Sequence, residues 1–260
     1  MENDFSLGSC PKAIIPFYLL VDHSNSTQPF IDDINKGIIT MIESIKKSSS
    51  LAGCDIRFTL IPFEFTVPDP KIHKKSIEEV VIDEPLVAEG ATNLGLALKK
   101  AFDLSTEEYQ FFKITTNREK GQGLMHPVVI LFTDGKPDGG FIKGEDPKDM
   151  AERERLVQKD FEEACQMARE LVNADKASLL VYSFQYSEYG EAIENENVET
   201  LKKLVVNPEI QLCNINAFEG SNQAIDVSQM IQNFFADNIT QHLKDATKSS
   251  TIKVIHPFRI

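Results

Sequence analysis

The sequence predicts an α/β fold in which helices cover both faces of a doubly wound, mostly parallel central sheet. Three observations support this prediction: strand-like apolar runs alternate with helix-like periodicity, the first run is apolar throughout, and acidic or hydroxyl residues follow two of the runs. A chain of 260 residues suits one domain of this class with short tails. We therefore expect an N-terminal tail over 1–12, one domain over 13–240, and a C-terminal tail or edge strand over 241–260.

The first elements follow from hydrophobic periodicity. Ile14–Val21 is continuously apolar and predicts a strand buried on both faces. Apolar residues then recur at helical spacing over Ile31–Ile45, which predicts a helix that ends at the serines 48–50. Alternation over Ile56–Leu60 predicts a second strand. Because Pro62 has no N–H to donate, we expect this strand to end or bulge there and to lie toward an edge of the sheet.

The remaining elements repeat this alternation. We expect one short antiparallel edge strand around Ile77 and Val80–Ile82, and a helix that starts just after Thr92. The polar stretch 115–123 is predicted to be a surface insertion on a helix-to-strand connection, away from the carboxyl ends of the strands. The later predicted elements are a strand Val128–Phe132, a helix Val157–Leu171, a strand Leu179–Phe184, a short helix Val198–Leu204, a short strand Ile210–Cys213 and a final helix Val227–Phe234.

Charge and composition argue against several functional classes. The net charge of −13, from 40 acidic and 27 basic residues, disfavours nucleic acid and anionic membranes as partners because like charges repel. Residues 1–12 carry no cationic region followed by an apolar core, and the next apolar run is shorter than the roughly 18 residues that a membrane span needs. The four cysteines lack zinc-site spacing. We therefore expect a cytoplasmic protein with reduced cysteines.

Acidic and hydroxyl residues follow two of the predicted strands. Asp22–Ser26 reads Asp-His-Ser-Asn-Ser, and Thr133–Gly135 reads Thr-Asp-Gly. The carboxyl ends of parallel strands meet at one edge of a sheet, and alternate residues of an extended loop point to the same side. Mg²⁺ prefers oxygen ligands of this kind. The sequence therefore predicts a hard-cation site at this edge, with ligands from Asp22, Ser24, Ser26 and Asp134.

This pattern resembles a known domain family. In von Willebrand factor A domains, the metal-ion-dependent adhesion site combines Asp-x-Ser-x-Ser after the first strand with a loop threonine and an aspartate after the fourth strand. Thr92, within Gly90–Gly95, and Asp134 match the last two positions. The resemblance covers about residues 13–240. Pro16–Asp22 and Gly90–Gly95 are most similar to stand-alone bacterial members found in tellurite-resistance and stress gene clusters.

The resemblance implies both a function and a cofactor. In this family the metal keeps an open coordination position, which an acidic side chain of a partner protein fills. We therefore expect a metal-dependent adaptor, in a bacterial stress-response or defence complex. Mg²⁺ or Mn²⁺ is the expected ion, and Ca²⁺ fits less well because two carboxylates are few for that larger ion. The ligands implied by the resemblance are Asp22, Ser24, Ser26, Thr92 and Asp134.

A metal-dependent phosphohydrolase that uses Asp22 and Asp134 is the alternative function. The sequence offers little support for it, because it contains no Gly-rich phosphate loop followed by Lys and Ser or Thr, and no Asp-x-Asp nucleophile pair. His23 is expected to be an exposed loop residue without an orienting partner.

Three further interpretations concern residues around the motif and at the C-terminus. Asn25 stands where the family often has glycine, and Asn tolerates left-handed backbone angles. Lys136 either steers an acidic partner or offsets Asp138, which is itself a turn residue or an outer-shell metal contact. The apolar tail Thr251–Ile260 pairs either with a partner or with its own sheet edge. The partner's identity and the oligomeric state stay open.

Overall fold

A seven-stranded sheet lies at the centre of the computed structural model, which describes residues 13–52, 55–115, 123–125, 127–134, 150–172, 177–187, 196–206 and 212–218. The strands are β1 (Ala13–Asp22), β2 (Asp55–Phe63), β3 (Ile72–Ser76), β4 (Gly123–Leu124), β5 (Val128–Thr133), β6 (Ser178–Ser187) and β7 (Leu212–Phe218). The helices are α1 (Ile31–Ala52), α2 (Leu94–Thr115), α3 (Met150–Val172) and α4 (Glu196–Lys202), and two 3₁₀ helices span Asn25–Phe30 and Ile77–Glu79.

The strand order places β1 and β5 side by side in the middle of the sheet. The order is β3-β2-β1-β5-β6-β7, and the short β4 pairs with the start of β1. All pairs are parallel except β2 with β3, which are antiparallel. From β1 the chain builds outward to one edge, and from β5 it builds toward the other. The predicted doubly wound, mostly parallel fold with one antiparallel edge strand is therefore confirmed, and its switch point lies between β1 and β5.

Two hydrophobic cores lie on opposite faces of this sheet. Alternate residues of β1 point to opposite sides, as the pleat requires. Phe17 and Leu19 pack with α1, whereas Tyr18 and Leu20 pack with α2 and α3. All four of these strand side chains are at most 2% exposed. This burial on both faces explains why the first strand is an uninterrupted apolar run.

Pro62 does not end the second strand, so that expectation was wrong. β2 continues to Phe63, and Pro62 lies opposite Val21 of β1. The pairing of β2 with the edge strand β3 reaches only to Leu60. Pro62 therefore has no β3 residue opposite it, and its missing N–H costs no hydrogen bond to that strand. The strand does lie toward an edge, because only β3 is outside it.

The antiparallel edge strand lies earlier in the chain than the sequence predicted. It is β3, Ile72–Ser76, whose residues alternate between half-buried and exposed. The predicted position, Ile77 with Val80–Ile82, instead begins with the 3₁₀ helix Ile77–Glu79, and Ile77 and the residue that follows the helix, Val80, are both 1% exposed. Two apolar residues three positions apart share one side of a 3₁₀ turn, and this spacing lets both reach the core beside α1.

The other predicted elements are present with somewhat different ends. α1 continues past the serines 48–50, and the strand expected at Ile210–Cys213 is β7, which begins at Leu212. The predicted final helix and both tails lie outside the described residues, as do 116–122 of the predicted insertion. None of the helices in the described part of the chain is long and apolar enough to cross a membrane.

Helices α2 and α3 are in close contact at Gly95. A Cβ atom built on Gly95 would lie 2.7 Å from Asp160 Oδ1 and 2.8 Å from the Asp160 backbone oxygen. Real Cβ atoms essentially never come this close to backbone, so only glycine permits this helix spacing. By contrast, a Cβ on Gly123 would meet no atom within 4 Å.

We predict that Gly95→Ala destabilises the protein by about 1–3 kcal/mol because α2 and α3 must separate, despite the better helix propensity of alanine. Gly123→Ala is the matched control and should change stability by less than about 0.5 kcal/mol. Urea unfolding of the wild type and both variants measures these differences. Equal stability of Gly95→Ala and the wild type would contradict this close helix contact.

Candidate metal centre

Asp22 is the final residue of β1 and forms the buried floor of the site. Its side chain is 0% exposed. Oδ1 accepts a hydrogen bond from the backbone N–H of Ser24 at 3.0 Å, and Oδ2 accepts one from the Thr133 hydroxyl at 2.7 Å. The bond to Ser24 closes an Asx-type turn, which leads the chain from β1 into the first 3₁₀ helix.

A chain of hydroxyl groups extends from this carboxylate. The Thr92 hydroxyl donates to Ser24 Oγ at 2.9 Å and lies 3.5 Å from Asp22 Oδ2. The Ser24 and Ser26 hydroxyl oxygens are also 2.9 Å apart. The fold therefore joins Asp22, Ser24, Ser26 and Thr92 in one hydrogen-bonded cluster, although Thr92 is 70 residues from Asp22 in sequence.

Asp134 completes the group of residues named from the sequence. It follows β5, the neighbour of β1, and it is half-buried. Burial, and then repulsion by the Asp134 carboxylate, raises the pKa of Asp22 to about 7, although hydrogen bonds from Thr133 and Ser24 act in the opposite direction. The two carboxylates are thus close enough to disfavour each other's charge.

The donor set fits a hard divalent cation. Two carboxylates and three hydroxyls converge, and among the described residues no Lys or Arg forms an ion pair with Asp22. A charged, buried carboxylate beside another carboxylate lowers the stability of the fold unless a cation balances the charge, and a divalent ion would provide that balance. Across the described ranges no cluster of three or more His, Cys, Asp or Glu offers a competing metal site. The assignment of these five residues as metal ligands stays a prediction.

Exposure differs between the two sides of the site. Asp22, Ser24 and Thr92 are each at most 1% exposed, whereas Ser26 is exposed and Asp134 half-buried. The site is therefore closed at its base and open to solvent on the side of Ser26 and Asp134. Lys136 and Asp138 lie outside the described residues, so the predictions about them stay predictions.

Backbone hydrogen bonds hold the two loops of the site together. Asn25 N–H donates to the Gly90 carbonyl at 3.1 Å, and Asn93 N–H donates to the Glu64 carbonyl at 3.1 Å. Gly90 has φ +69°, and a Cβ there would lie 2.0 Å from Glu64 Oε2. The first glycine of the Gly-Ala-Thr-Asn-Leu-Gly segment is therefore needed for its backbone angle, whereas movement of the flexible Glu64 side chain would relieve the overlap.

His23 is buried and oriented, so the expectation of an exposed loop residue was wrong. Its side chain is 7% exposed, and Nδ1 lies 2.9 Å from the Val87 carbonyl oxygen. Its backbone N–H donates to the Phe63 carbonyl, and its carbonyl accepts from Glu89 N–H. These contacts connect His23 to the end of β2 and to Val87 and Glu89, which precede Gly90, and so they stabilise this loop.

The backbone of Asn25 does not adopt left-handed angles. It is the first residue of a 3₁₀ helix, and among the described residues only Lys74 is a non-glycine residue with positive φ. The glycine often found at this position in the family is therefore not required here.

Two residues that shape the site were not predicted from the sequence. Thr133 donates to Asp22, and its position directly before Asp134 on a strand next to β1 was a usable signal. Asp160 on α3 is 6% exposed and accepts hydrogen bonds from Leu94 N–H at 3.2 Å and Gly95 N–H at 2.7 Å. Burial raises the pKa of Asp160 to about 6, although these two backbone hydrogen bonds lower it. Nothing in the sequence links Asp160 to residues 65 positions earlier.

Known proteins have a fold similar to that of this chain. No protein-family model matches this chain. No curated protein matches it either. Among solved structures, it is similar to the vWF domain of the type V pili tip protein Mfa5 from Porphyromonas gingivalis, with a TM-score of 0.53, 12% identity, and coverage of 94% of this chain and 99% of that domain.

Two further similar structures are larger than this chain. A variant of the PilB minor pilin from Streptococcus sanguinis matches with a TM-score of 0.54 and 12% identity over 93% of this chain and 64% of its own. The pilus adhesin SpaC from Lactobacillus rhamnosus GG matches with a TM-score of 0.50 and 12% identity over 88% of this chain and 30% of its own. The chain thus spans less than two thirds of both proteins. At such identities these comparisons show the fold alone, and the chain has a von Willebrand factor A-like fold.

We predict that the stability difference between the wild type and Asp160→Asn depends on pH. The pKa of Asp160 is about 6 in the folded protein against an ordinary value of 3.8, so the native state binds this proton more tightly than the unfolded state. Its contribution is fully present below about pH 4 and is lost as pH rises through about 6. The wild type should therefore lose up to about 3 kcal/mol relative to Asp160→Asn over this window. Urea unfolding at pH 4 and pH 7.5 tests this, and a pH-independent difference would contradict it.

Proposed function

We propose that this chain is a metal-dependent protein-binding module. A divalent cation, Mg²⁺ or Mn²⁺, would be held by Asp22, Ser24, Ser26, Thr92 and Asp134, and an acidic side chain of a partner protein would fill its open coordination position. One observation carries the proposal: the hydroxyls of this set converge on a fully buried carboxylate that pairs with no cationic side chain of the described residues.

The charge balance of the donor set suits an adhesive metal. Asp22 and Asp134 together neutralise a divalent cation, and three neutral hydroxyls add oxygen ligands without further charge. A cation held in this way keeps its attraction for one more carboxylate. Oxygen donors alone favour Mg²⁺ or Mn²⁺ over softer metals such as Zn²⁺, and Ca²⁺ is less suited because only two carboxylates contribute.

Accessibility supports a macromolecular partner. The exposed Ser26 and half-buried Asp134 leave one side of the site open. The similar structures with this fold are a pilin, a pilus adhesin and a pilus tip protein, which is consistent with a role in protein interaction by analogy of fold. Because this chain has a net charge of −13, the partner's acidic residue should lie within basic or apolar surroundings.

One narrower part of the proposal rests on sequence resemblance, namely a role in a bacterial stress-response or defence complex of the tellurite-resistance type. The cytoplasmic location is a separate proposal that does not depend on the resemblance. No contact favours a serine-based hydrolase, since in the described part of the chain no imidazole hydrogen-bonds Ser24 or Ser26 to activate either hydroxyl as a nucleophile. Hydrolysis by a metal-bound water would need no such base, and a turnover assay tests it directly.

We predict that the wild type binds Mg²⁺ or Mn²⁺ and that Asp22→Asn weakens binding at least about 100-fold, because it removes the central charge while keeping the side-chain volume. Glu107→Gln is the charge-matched control, since Glu107 is exposed on α2, and it should bind like the wild type. Isothermal titration calorimetry measures all three proteins. Metal affinity unchanged in Asp22→Asn would exclude the proposed ligand set.

We also predict that a partner binds only when the metal is present. Affinity purification from the source cells in Mg²⁺ and in EDTA identifies that partner, and binding should fall in EDTA and in Thr92→Ala. Removing the partner's metal-binding acidic residue should cause the same loss, with no further loss when both changes are combined, because both delete the same bond.

Turnover of a phosphate ester such as p-nitrophenyl phosphate separates the two functions. The module proposed here should show none. If the protein showed metal-dependent turnover that disappears in Asp22→Asn, the hydrolase function would replace the proposed binding function. If the partner bound equally well in Mg²⁺ and in EDTA, the proposed adaptor function would be excluded.

A further inference from the structure

The free N–H groups at the N-terminus of α2 are bonded by two residues: Asn93, which directly precedes the helix, and Asp160 of helix α3. Asn93 Oδ1 accepts the Leu96 N–H at 3.1 Å, and the Asn93 carbonyl accepts the Ala97 N–H at 3.3 Å. These are the ordinary bonds of a helix start. The remaining two amides, of Leu94 and Gly95, donate to the Asp160 carboxylate of α3. We call Asp160 with Leu94 and Gly95 the helix junction.

The helix junction lies two residues from a candidate metal ligand. Thr92 precedes Leu94, and its hydroxyl donates to Ser24 Oγ at 2.9 Å. Thr92 is 1% exposed, so its side chain has little room to compensate for movement of the backbone. A shift at the start of α2 would therefore move this hydroxyl relative to Ser24 and Asp22. Such small displacements strongly affect metal affinity, because outer contacts orient the ligands.

Asp160 is an unusual choice for a residue that would serve stability alone. Its carboxylate is buried, and burial raises its pKa, so the charged form costs stability at neutral pH. The close approach of α3 also requires glycine at position 95, within a helix where alanine would have better propensity. Both features maintain the contact between α3 and the start of α2 at a cost in stability.

We infer that Asp160 is a positioning residue for the candidate metal centre: by holding the N–H groups of Leu94 and Gly95, it keeps the Thr92 hydroxyl beside Ser24. The inference rests on the proposed function and adds to it a residue that does not contact the metal. Asp160 sets metal affinity through Thr92. A carboxylate that only capped a helix would affect stability and leave the metal affinity of the folded protein unchanged.

A double-mutant cycle between Asp160 and Thr92 tests this inference. Isothermal titration calorimetry with Mg²⁺ or Mn²⁺ is run on the wild type, Asp160→Asn, Thr92→Ala and the double variant, at a temperature where circular dichroism shows each to be folded. Asp160→Asn should weaken binding about tenfold, as loss of outer-shell partners of metal ligands does. In the Thr92→Ala background the same change should cause no further loss, because the hydroxyl it positions is gone.

Two additional variants sharpen the result. Glu162→Gln removes a charge from the exposed side of α3, two residues from Asp160, and should bind metal like the wild type. Gly95→Ala forces the helix junction apart without changing any charge, so it should also weaken binding, and only when Thr92 is present. It provides the same test if Asp160→Asn does not fold.

The outcomes distinguish this inference from the proposed function. A wild type that binds no metal overturns both. Binding that falls in Thr92→Ala but is unchanged in Asp160→Asn and in Gly95→Ala overturns the positioning role alone. A double variant that shows the full sum of both losses also overturns it, because Asp160 would then act independently of Thr92.

Discussion

The buried carboxylate of Asp22 is the constraint around which the surrounding structure is arranged. It is the last residue of a strand that is covered on both faces, so it cannot turn toward solvent without breaking the strand end. Thr133 from the next strand and the Ser24 amide both donate hydrogen bonds to it, and the Thr92 hydroxyl, which donates to Ser24, lies 3.5 Å from its Oδ2. With Asp134 nearby, these bonds do not offset the cost of the charge, and the pKa of Asp22 remains raised. A cation at this point would remove that cost.

The sheet topology explains why the residues meet here. β1 and β5 are neighbours although more than 100 residues separate them, because the chain builds outward from β1 to one edge before β5 starts the other half. Their carboxyl ends bring together Asp22 and Thr133, which lie on the same face as the helices α2 and α3. Thr92 lies two residues before the start of α2. One layer of the fold thus carries both the ligands and the helix junction that surrounds them.

Stability and function make different demands on this layer. The apolar side chains on the two faces of β1, β2, β5 and β6 form the two hydrophobic cores, and these cores stabilise the fold although the strands end in polar residues. By contrast, the buried Asp22 carboxylate and the buried hydroxyls of Ser24 and Thr92 lie at or near the strand ends, and Gly95 on α2 cannot become alanine without overlap with Asp160. These features oppose stability, as expected for a binding site on a rigid scaffold.

The sequence alone predicted the fold class, and it named Asp22, Ser24, Ser26 and Asp134 from their positions after predicted strands and Thr92 from the family resemblance. The structure joins Asp22, Ser24, Ser26 and Thr92 in one hydrogen-bonded cluster beside Asp134, and their role as metal ligands stays a prediction. Strands buried on both faces are apolar throughout, and ligand side chains follow the ends of such strands, so both signals are local. Two predictions from local sequence were wrong. β2 continues through Pro62 because β3 does not pair with it there, and Ile77 and Val80 reach the core through a 3₁₀ turn instead of an edge strand. In each case the neighbouring strand or helix decided the outcome.

Only the tertiary structure decided which groups surround the predicted ligands. The orientation of His23 by Val87, the hydrogen bond from Thr133 to Asp22, and the helix junction at Asp160 all join residues that are distant in sequence. The raised pKa of Asp22 likewise depends on its burial and on its closeness to Asp134. Periodicity and motifs determine which side chains face the core or follow a strand. Distances between elements arise from packing, and the charge state and rigidity of the site depend on those distances.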